Sequence, residues 1–138
     1  MLVVRVEKGR LIAEKASLSE ICQAVYTLTQ LIPQGFVSSY SSIGRALGVH
    51  PRIVAYCLSK NKEIIVIPCH RVVYNNMRIG GYRELGVDFK KKLLVLEGVE
   101  ISDNTVSKKH FVDLSELIHS SPHEKRNTTR FIPISTNS

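Results

Sequence analysis

The stretch Ile64-Ile65-Val66-Ile67-Pro68-Cys69-His70-Arg71-Val72 sets one thiol between a proline and a histidine at the end of an apolar run. A cysteine attacks as its thiolate, and a neighbouring imidazole or cationic group increases the thiolate fraction at neutral pH. His70 and Arg71 are the candidate activators. In a regular strand His70 would face away from Cys69, so their pairing needs either a turn of the backbone or a bridging water. The alternative is a small buried side chain that ends a core strand.

The composition is that of a globular domain whose positive charge is unevenly distributed. The 138 residues carry a formal net charge of +7, and residues 34–98 hold ten basic and four acidic side chains, which is +6 of that total. A basic surface attracts phosphates, although solvated lysines are the common alternative. The chain has no apolar run of the roughly 18 residues that a membrane span needs and no secretory signal pattern. We therefore expect an intracellular, cytoplasmic protein without a membrane partner.

The three cysteines, Cys22, Cys57 and Cys69, are an odd number at irregular spacing. This pattern argues against a disulfide framework and fits a reducing compartment. We expect Cys22 to pack in the core. His50 and His70, taken with Cys57 and Cys69, reproduce no zinc-ligand spacing, so we expect neither a metal nor another cofactor.

Hydrophobic spacing and turn residues predict a series of short elements. Ser17 and Glu20 have the spacing of a capping box, Pro33 ends the first apolar pattern, and Gly98 ends the last long one. The predicted elements are two strands around Lys8-Gly9 within residues 2–12, helices over 17–31, 41–47, 51–59 and 88–98, a hairpin turn and glycine-rich loop over 74–83, and a final helix over 112–119.

The helices over 41–47 and 51–59 are joined by a glycine-containing turn, which suggests a helix-turn-helix whose second helix faces DNA. We expect Phe89, Leu93 and Leu96 to form the apolar stripe of the fourth helix, with the core ending near residue 98. The final helix could dock through Leu114, Leu117 and Ile118. The predicted organisation is an N-terminal extension over 1–16, one domain over 17–100, and a partly disordered extension over 101–138.

The cysteine motif Ile67-Pro68-Cys69-His70-Arg71-Val72 resembles the active-site signature of the O6-alkylguanine-DNA alkyltransferases. In that family the cysteine takes an alkyl group from O6 of a damaged guanine and keeps it, so each molecule acts once. The resemblance covers roughly residues 17–99. It implies a mainly α fold class, a winged helix-turn-helix-like alkyltransferase C-terminal domain, here behind a short N-terminal β extension. It also implies a monomer whose partner is double-stranded DNA containing O6-alkylguanine, bound through the minor groove without a cofactor.

The family's other parts have matching positions at the family's spacing. Tyr40 matches the tyrosine before the first recognition helix, and Arg52, 17 residues before Cys69, matches the arginine that enters the duplex as the base leaves. Asn61, eight residues before Cys69, matches the asparagine that supports the active-site loop. Gly80-Gly81-Tyr82 resembles the substrate loop, and Lys92-Leu93-Leu94-Val95-Leu96-Glu97-Gly98 resembles the helix that carries the relay glutamate.

The resemblance assigns these positions to a mechanism. Glu97 orients His70, His70 removes the Cys69 proton through water, and Tyr82 donates to the departing guanine. The implied catalytic residues are Cys69, His70, Glu97, Asn61 and Tyr82, and the implied base pocket is Pro68, Val72, Ile79, Gly81, Tyr82 and Arg83. Tyr40 and Arg52 are the implied contacts for base rotation, and the basic excess adds Arg45, Lys60 and Lys62 as expected phosphate contacts.

Each match has a plainer alternative. Tyr40 could pack at a helix start, Arg52 could be a solvated arginine, Asn61 could cap a helix, and Glu97 could be an exposed last-turn residue. The chain also departs from the family pattern in its short N-terminal segment, in the short turn region between Tyr40 and Arg52, and in residues after about 100.

Two other functions compete with repair. One is a damage sensor resembling the alkyltransferase-like proteins, which usually have tryptophan in place of the cysteine, whereas this chain keeps Cys69. The other is a winged-helix regulator, which has no evident need for the set of Asn61, His70 and Glu97.

Overall fold

The computed structural model describes residues 1–80 and 86–119, which form helices around a small core and three two-stranded sheets. The elements are β1 (Leu2–Glu7), β2 (Arg10–Lys15), α1 (Leu18–Gln30), β3 (Ser38–Ser39), α2 (Tyr40–Leu47), α3 (Pro51–Ser59), β4 (Val72–Val73), α4 (Gly86–Leu96), β5 (Ile101–Ser102), β6 (Thr105–Val106) and α5 (Leu114–His119). Helices supply most of the regular structure, and the sheets make the domain mixed α/β. No helix in the described ranges is long and apolar enough to cross a membrane.

Local signals placed α1 and α3 correctly, whereas α4 begins and ends two residues before the predicted 88–98 and α5 begins two residues after the predicted start at 112. The Ser17 hydroxyl accepts from the Glu20 N–H at 3.2 Å while the Glu20 carboxylate accepts from the Ser17 N–H at 2.9 Å, so the predicted capping box is confirmed. Pro51 occupies the first turn of α3, and the His50 ring caps that helix by accepting from the Arg52 N–H at 3.0 Å.

A tight turn brings α3 back against α2. Gly48 ends α2 in the left-handed conformation with φ of 70°. Gly44, inside α2, lets the turn pass close by, because a Cβ there would lie 2.7 Å from the Val49 carbonyl oxygen. The glycine in mid-helix therefore sets the separation of the two helices at the turn.

The core consists of two clusters that adjoin at the cysteine motif. The first joins α1, α2 and α3 with Cys69, Val72, Val112 and Leu114, and the second is Val37, Val73, Met77, Ile79, Leu94, Val99 and Val106. The parallel pair β3–β4, with Ser38 opposite Val72, connects the clusters. The expectation that the core ends near residue 98 is wrong, because four of these residues come later.

Residues 101–114 return along the domain and brace it. The Val37 N–H donates to the His110 carbonyl and the Val112 N–H donates to the Val37 carbonyl, both at 2.9 Å. Leu114 is 1% exposed and Leu117 packs partly on the first cluster, as predicted, but Ile118 is 42% exposed and does not dock. The division of the chain at residues 16 and 100 stays a prediction.

The β1–β2 hairpin is attached mainly by polar contacts. Its turn lies at Lys8-Gly9, as predicted. Arg5 bonds to Glu14 within the hairpin and to Glu20 on α1. The face bearing Val4, Val6 and Leu11 is exposed.

A disulfide joins Cys22 of α1 to Cys57 of α3, with Cα atoms 5.0 Å apart. The expectation of unpaired cysteines is therefore wrong for this pair. The odd count arises because Cys69 is the remaining free thiol. The two partners are 35 residues apart, and only the packing of α1 on α3 brings them together. Because disulfides also occur in intracellular proteins of hyperthermophiles, the bond does not identify a compartment.

We predict that reduction of this bond lowers the free energy of unfolding by about 4 kcal/mol, because the bond closes a loop of 35 residues in the unfolded chain. Denaturant titration with and without reductant measures the change. The double variant Cys22→Ala, Cys57→Ala should show no response to reductant, whereas Cys69→Ser should respond like wild type. Three reactive thiols in the denatured, unreduced protein would contradict the pairing.

Candidate active site

The cysteine motif forms a turn instead of a strand. Cys69–Arg71 is a single turn of 3-10 helix, in which the Arg71 N–H donates to the Pro68 carbonyl at 2.9 Å. The preceding apolar run is not a buried strand, since Ile65 has φ of 76° and is 57% exposed, and Val66 is 66% exposed. A β-branched residue at positive φ is a conformational outlier. The backbone turn is therefore what changes the direction of successive side chains, while Cys69 itself is buried at 8% exposure.

Asn61 fixes this turn from the side of α3. Its amide nitrogen donates to the Ile67 carbonyl at 3.0 Å and lies 3.4 Å from the Cys69 sulfur. Its amide oxygen accepts from the Glu63 N–H at 2.9 Å. The side chain thus bonds to the loop that carries the thiol, and the alternative of a helix-capping asparagine does not describe these contacts.

His70 and Glu97 form a buried pair. The Nε2 atom of His70 lies 3.1 Å from Oε2 of Glu97, and the imidazole is 1% exposed. A carboxylate only accepts, so Nε2 carries the proton, and Nδ1 is left as the acceptor of a neutral ring. Within residues 1–80 and 86–119, Nδ1 has no hydrogen-bond partner. Burial lowers the pKa of His70 against the opposing effect of Glu97, which favours the neutral ring.

Glu97 lies just after α4 and is not an exposed last-turn residue. Both of its oxygens accept from Arg71, at 3.0 Å and 2.7 Å. Burial works to raise the pKa of Glu97, but the hydrogen bonds from Arg71 and His70 outweigh it and hold the pKa below its ordinary value. Arg71, one of the two candidate activators of Cys69, therefore directs three of its nitrogens to Glu97 and the Ile32 carbonyl, and none of these hydrogen bonds goes to the thiol.

The cation near the thiol is Lys90, which the sequence did not single out. Lys90 is 1% exposed and its Nζ donates to the Val72 carbonyl at 2.7 Å. Burial lowers its pKa to about 8, and the charge of Cys69 acts in the opposite direction. Lys90 and Leu94 lie on the buried face of α4, whereas Leu96, predicted to belong to its apolar stripe, is 81% exposed. The helical spacing of Lys90 and Leu94 was the sequence signal that could have placed Lys90 on the buried face.

Two tyrosines meet where α2 begins. The rings of Tyr40 and Tyr74 lie 5.7 Å apart between centroids, and a Cβ at Gly80 would be 3.0 Å from the Tyr74 ring. Burial, followed by Tyr74 and Cys69, raises the pKa of Tyr40 to about 12. Tyr40 is thus a neutral hydroxyl in the electrostatic range of the thiol.

The predicted base pocket is described only in part. Pro68 is buried beside Cys69, while Val72 and Ile79 are buried in the two core clusters. The Val72 carbonyl is already bonded to Lys90. Three predicted pocket positions, Gly81, Tyr82 and Arg83, lie outside the described residues.

The predicted DNA contacts lie on α2, α3 and the loop that follows. Arg52 is exposed on the first turn of α3. Arg45 is already near a partner, with its guanidinium 3.5 Å from the Asp113 carboxylate. Lys60 lies over the Tyr56 ring at 5.4 Å from the centroid, and Lys62 is exposed. The described ranges contain no cluster of three or more side chains suited to hold a metal ion.

A family model described as 6-O-methylguanine DNA methyltransferase, DNA binding domain, matches residues 20–99, which is more than half of the chain. The chain belongs to this family. The matched range runs from the first turn of α1 to just beyond Glu97, so every described site residue discussed above falls within the family's domain.

Curated relatives carry the name methylated-DNA–protein-cysteine methyltransferase. The protein from Saccharolobus islandicus strain L.S.2.15 is 46% identical over 80 residues, which are 58% of this chain and 52% of that protein. The protein from Pyrobaculum aerophilum is 42% identical over 72 residues, or 52% and 48% of the two chains. The chain spans about half the length of the curated relatives it matches.

Solved structures of the family have the same fold. The O6-methylguanine-DNA methyltransferase of the hyperthermophilic archaeon Pyrococcus kodakaraensis superposes with a TM-score of 0.53 at 40% identity, covering 56% of this chain and 46% of that one. S. pombe Atl1, in complex with damaged DNA containing O6-carboxymethylguanine, gives a TM-score of 0.57 at 30% identity and covers 63% and 83%.

We predict that Lys90→Met changes the pH dependence of stability. From about pH 8 to 10.5 the native lysine is neutral while the unfolded one still holds its proton, so wild-type stability rises with pH in this window. The rise should amount to roughly 3 kcal/mol and should be absent in the variant. Below pH 8 both native and unfolded lysines are charged, and the difference between variant and wild type is constant.

Denaturant titrations at several pH values, all in a Cys69→Ser background, measure this difference without the titration of the thiol. Lys92→Met, which removes an exposed lysine of the same helix, is the matched control and should keep the rise. The assignment fails if Lys90→Met and Lys92→Met behave alike.

Proposed function

We propose that this chain repairs DNA by irreversible transfer of the alkyl group from O6-alkylguanine to Cys69. The sulfur forms a bond to the alkyl carbon, the carbon–O6 bond breaks, and its electron pair leaves with the guanine, which takes up a proton. The thiol proton goes to His70 Nδ1 through water. The observation that carries the proposal is the neutral, buried His70 whose Nε2–H is held by Glu97 and whose Nδ1 remains an acceptor beside the cysteine turn.

The surroundings of Cys69 support this chemistry. Asn61 holds the sulfur and the Ile67 carbonyl, which fixes the direction of the nucleophile. The buried Lys90 donates to the Val72 carbonyl and so fixes the backbone directly after the cysteine turn. Since the thiol is not regenerated by any step of this reaction, each molecule acts once.

Binding is assigned to α2, its turn and α3, acting as a helix-turn-helix on the minor groove of double-stranded DNA. An O6 substituent inside the duplex is out of reach of Cys69, so the nucleotide must rotate out at a cost of a few kcal/mol. Arg52 is exposed on the first turn of α3, where it can fill the vacated space, while Tyr40 favours rotation by crowding the target phosphate. The protein acts as a monomer in this scheme.

Damage sensing is the second candidate, favoured by the likeness to Atl1, which was solved with damaged DNA. A sensor would bind the same lesion and leave it unchanged. The free, positioned thiol of Cys69 supports transfer instead.

The first test is incubation with a duplex containing O6-methylguanine, followed by intact mass measurement. We expect one added methyl group per protein, located on Cys69, because the single free thiol is the nucleophile. Cys69→Ser should bind the duplex and gain no mass. Wild-type protein that binds the duplex but stays unmodified would establish the sensor instead.

Arg52→Ala separates base rotation from chemistry. We expect it to slow transfer from duplex DNA at least about tenfold and to leave transfer from free O6-benzylguanine nearly unchanged, since only the duplex requires rotation. Rate constants on both substrates measure the ratio, and Arg10→Ala, an exposed arginine of the hairpin, is the control. Equal losses on both substrates would place Arg52 in the chemistry or in the fold.

A further inference from the structure

Arg71 uses three of its donors on two distant parts of the chain. Nε and Nη2 donate to the two oxygens of Glu97, at 3.0 Å and 2.7 Å. Nη1 donates to the Ile32 carbonyl, just beyond the end of α1, at 2.8 Å. A guanidinium that binds both carboxylate oxygens fixes the plane of the carboxylate as well as its position. The Arg71 side chain is only 15% exposed, so water competes little for these bonds.

This arrangement determines which oxygen faces the imidazole. Oε2 of Glu97 accepts from both Arg71 and His70, whereas Oε1 accepts from Arg71 alone. A carboxylate held in this plane accepts the His70 Nε2–H and leaves Nδ1 as the acceptor on the other side of the ring. Without the guanidinium, the carboxylate could rotate about its last bonds, and the tautomer of His70 would no longer be fixed by a rigid partner.

We propose that Arg71 is a positioning residue that locks Glu97 and thereby holds His70 in the Nε2–H tautomer. Its catalytic meaning rests on the proposed function, while the tautomer itself is a property of the unreacted protein. The hydrogen bonds of the Arg71 side chain in the described residues go to Glu97 and the Ile32 carbonyl and not to the thiol. Arg71 acts on the reaction only through Glu97 and His70.

The charges around His70 give the proposal a second consequence. The charged groups that act on the ring are Glu97 after α4, Arg71 on the same turn, and Lys90 on α4. Burial is the largest cause of the low pKa of His70, and Arg71 and Lys90 act in the same direction while Glu97 opposes them. Loss of the Arg71 charge therefore raises the pKa of His70, which puts more of the ring in its protonated, inactive form at acidic pH.

The test begins with unreacted wild-type protein labelled with 15N. Long-range correlations from the carbon-bound ring protons to the ring nitrogens report which nitrogen carries the proton. The variant His70→Asn identifies the His70 signals by their loss. We expect the Nε2–H tautomer at pH 7.5. A wild-type Nδ1–H tautomer overturns the proposal without any Arg71 variant.

Two substitutions then separate the bidentate hydrogen bonding of Arg71 from its positive charge. Arg71→Gln removes the charge and should move the titration midpoint of His70 and the acid limb of the alkyl-transfer profile to higher pH. Arg71→Lys keeps the positive charge without the bidentate hydrogen bonds. Its acid limb should therefore match that of wild type, while its rate of alkyl transfer should be only partly restored relative to Arg71→Gln. We expect Arg71→Gln to lose about tenfold or more in rate at pH 7, because a well-placed general base contributes on the order of a hundredfold or more. Arg10→Gln is the matched control.

The readouts distinguish this proposal from the function on which it rests. If wild type transfers no alkyl group but the His70 midpoint still moves in Arg71→Gln, the repair function fails and the positioning role stands. If transfer occurs and the midpoint and acid limb are the same in wild type and Arg71→Gln, the positioning role fails. A variant that loses rate uniformly at every pH, with an unchanged thermal transition, would likewise overturn it. If Arg71→Gln does not fold, the wild-type tautomer and the Arg71→Lys profile decide.

Discussion

The site depends on one carboxylate shared by a guanidinium and an imidazole. Glu97 sits immediately after α4, His70 and Arg71 belong to the turn that carries the thiol, and Ile32 follows α1. Three separate parts of the chain therefore meet at the Arg71–Glu97 pair, whose side chains are 15% and 14% exposed. Buried ion pairs contribute modestly to net stability, but removal of one partner is costly because it leaves a buried charge. The Arg71–Glu97–His70 group therefore fixes the relative positions of these segments more than it increases the free energy of unfolding.

Two further side chains, Asn61 and Lys90, hold the turn that carries the thiol. Asn61 holds the turn from the side of α3, and Lys90 holds it from α4 through the Val72 carbonyl. Both are attached to the backbone, so the sulfur is positioned by main-chain geometry as well as by its own neighbours. A buried lysine is destabilising at neutral pH because of desolvation, and a fold keeps such a group where its charge has a use. Here the ammonium donates to the Val72 carbonyl, directly after the cysteine turn.

The sequence predicted what local signals encode. The capping box at Ser17 and the proline at α3 gave correct helix boundaries, since caps act within one turn. The Cys22–Cys57 bond and the burial of Lys90 were missed, because each depends on which helix faces meet and not on neighbours along the chain.

The alternative of a core strand before Pro68 is wrong for a related reason. Its composition is typical of a buried strand, but Asn61 and the turn at Ile67 override that preference. The approach of His70 to Glu97 was expected only from the family resemblance. No periodicity links residues 27 positions apart in different elements.

The return of residues 101–114 over the domain has a consequence for biosynthesis. Residues in this range form main-chain hydrogen bonds with Val37, Met77 and Ile79. The Leu114 N–H also donates to the Ser42 hydroxyl. All of those partners emerge from the ribosome much earlier than the segment that completes their hydrogen bonds. At about 5–20 residues per second, the cysteine turn is translated seconds before its brace is available. The hydrogen bonds at Val37, Ser42 and Met77 can therefore form only after the cysteine turn has been made, so the domain completes its fold late in translation or after it.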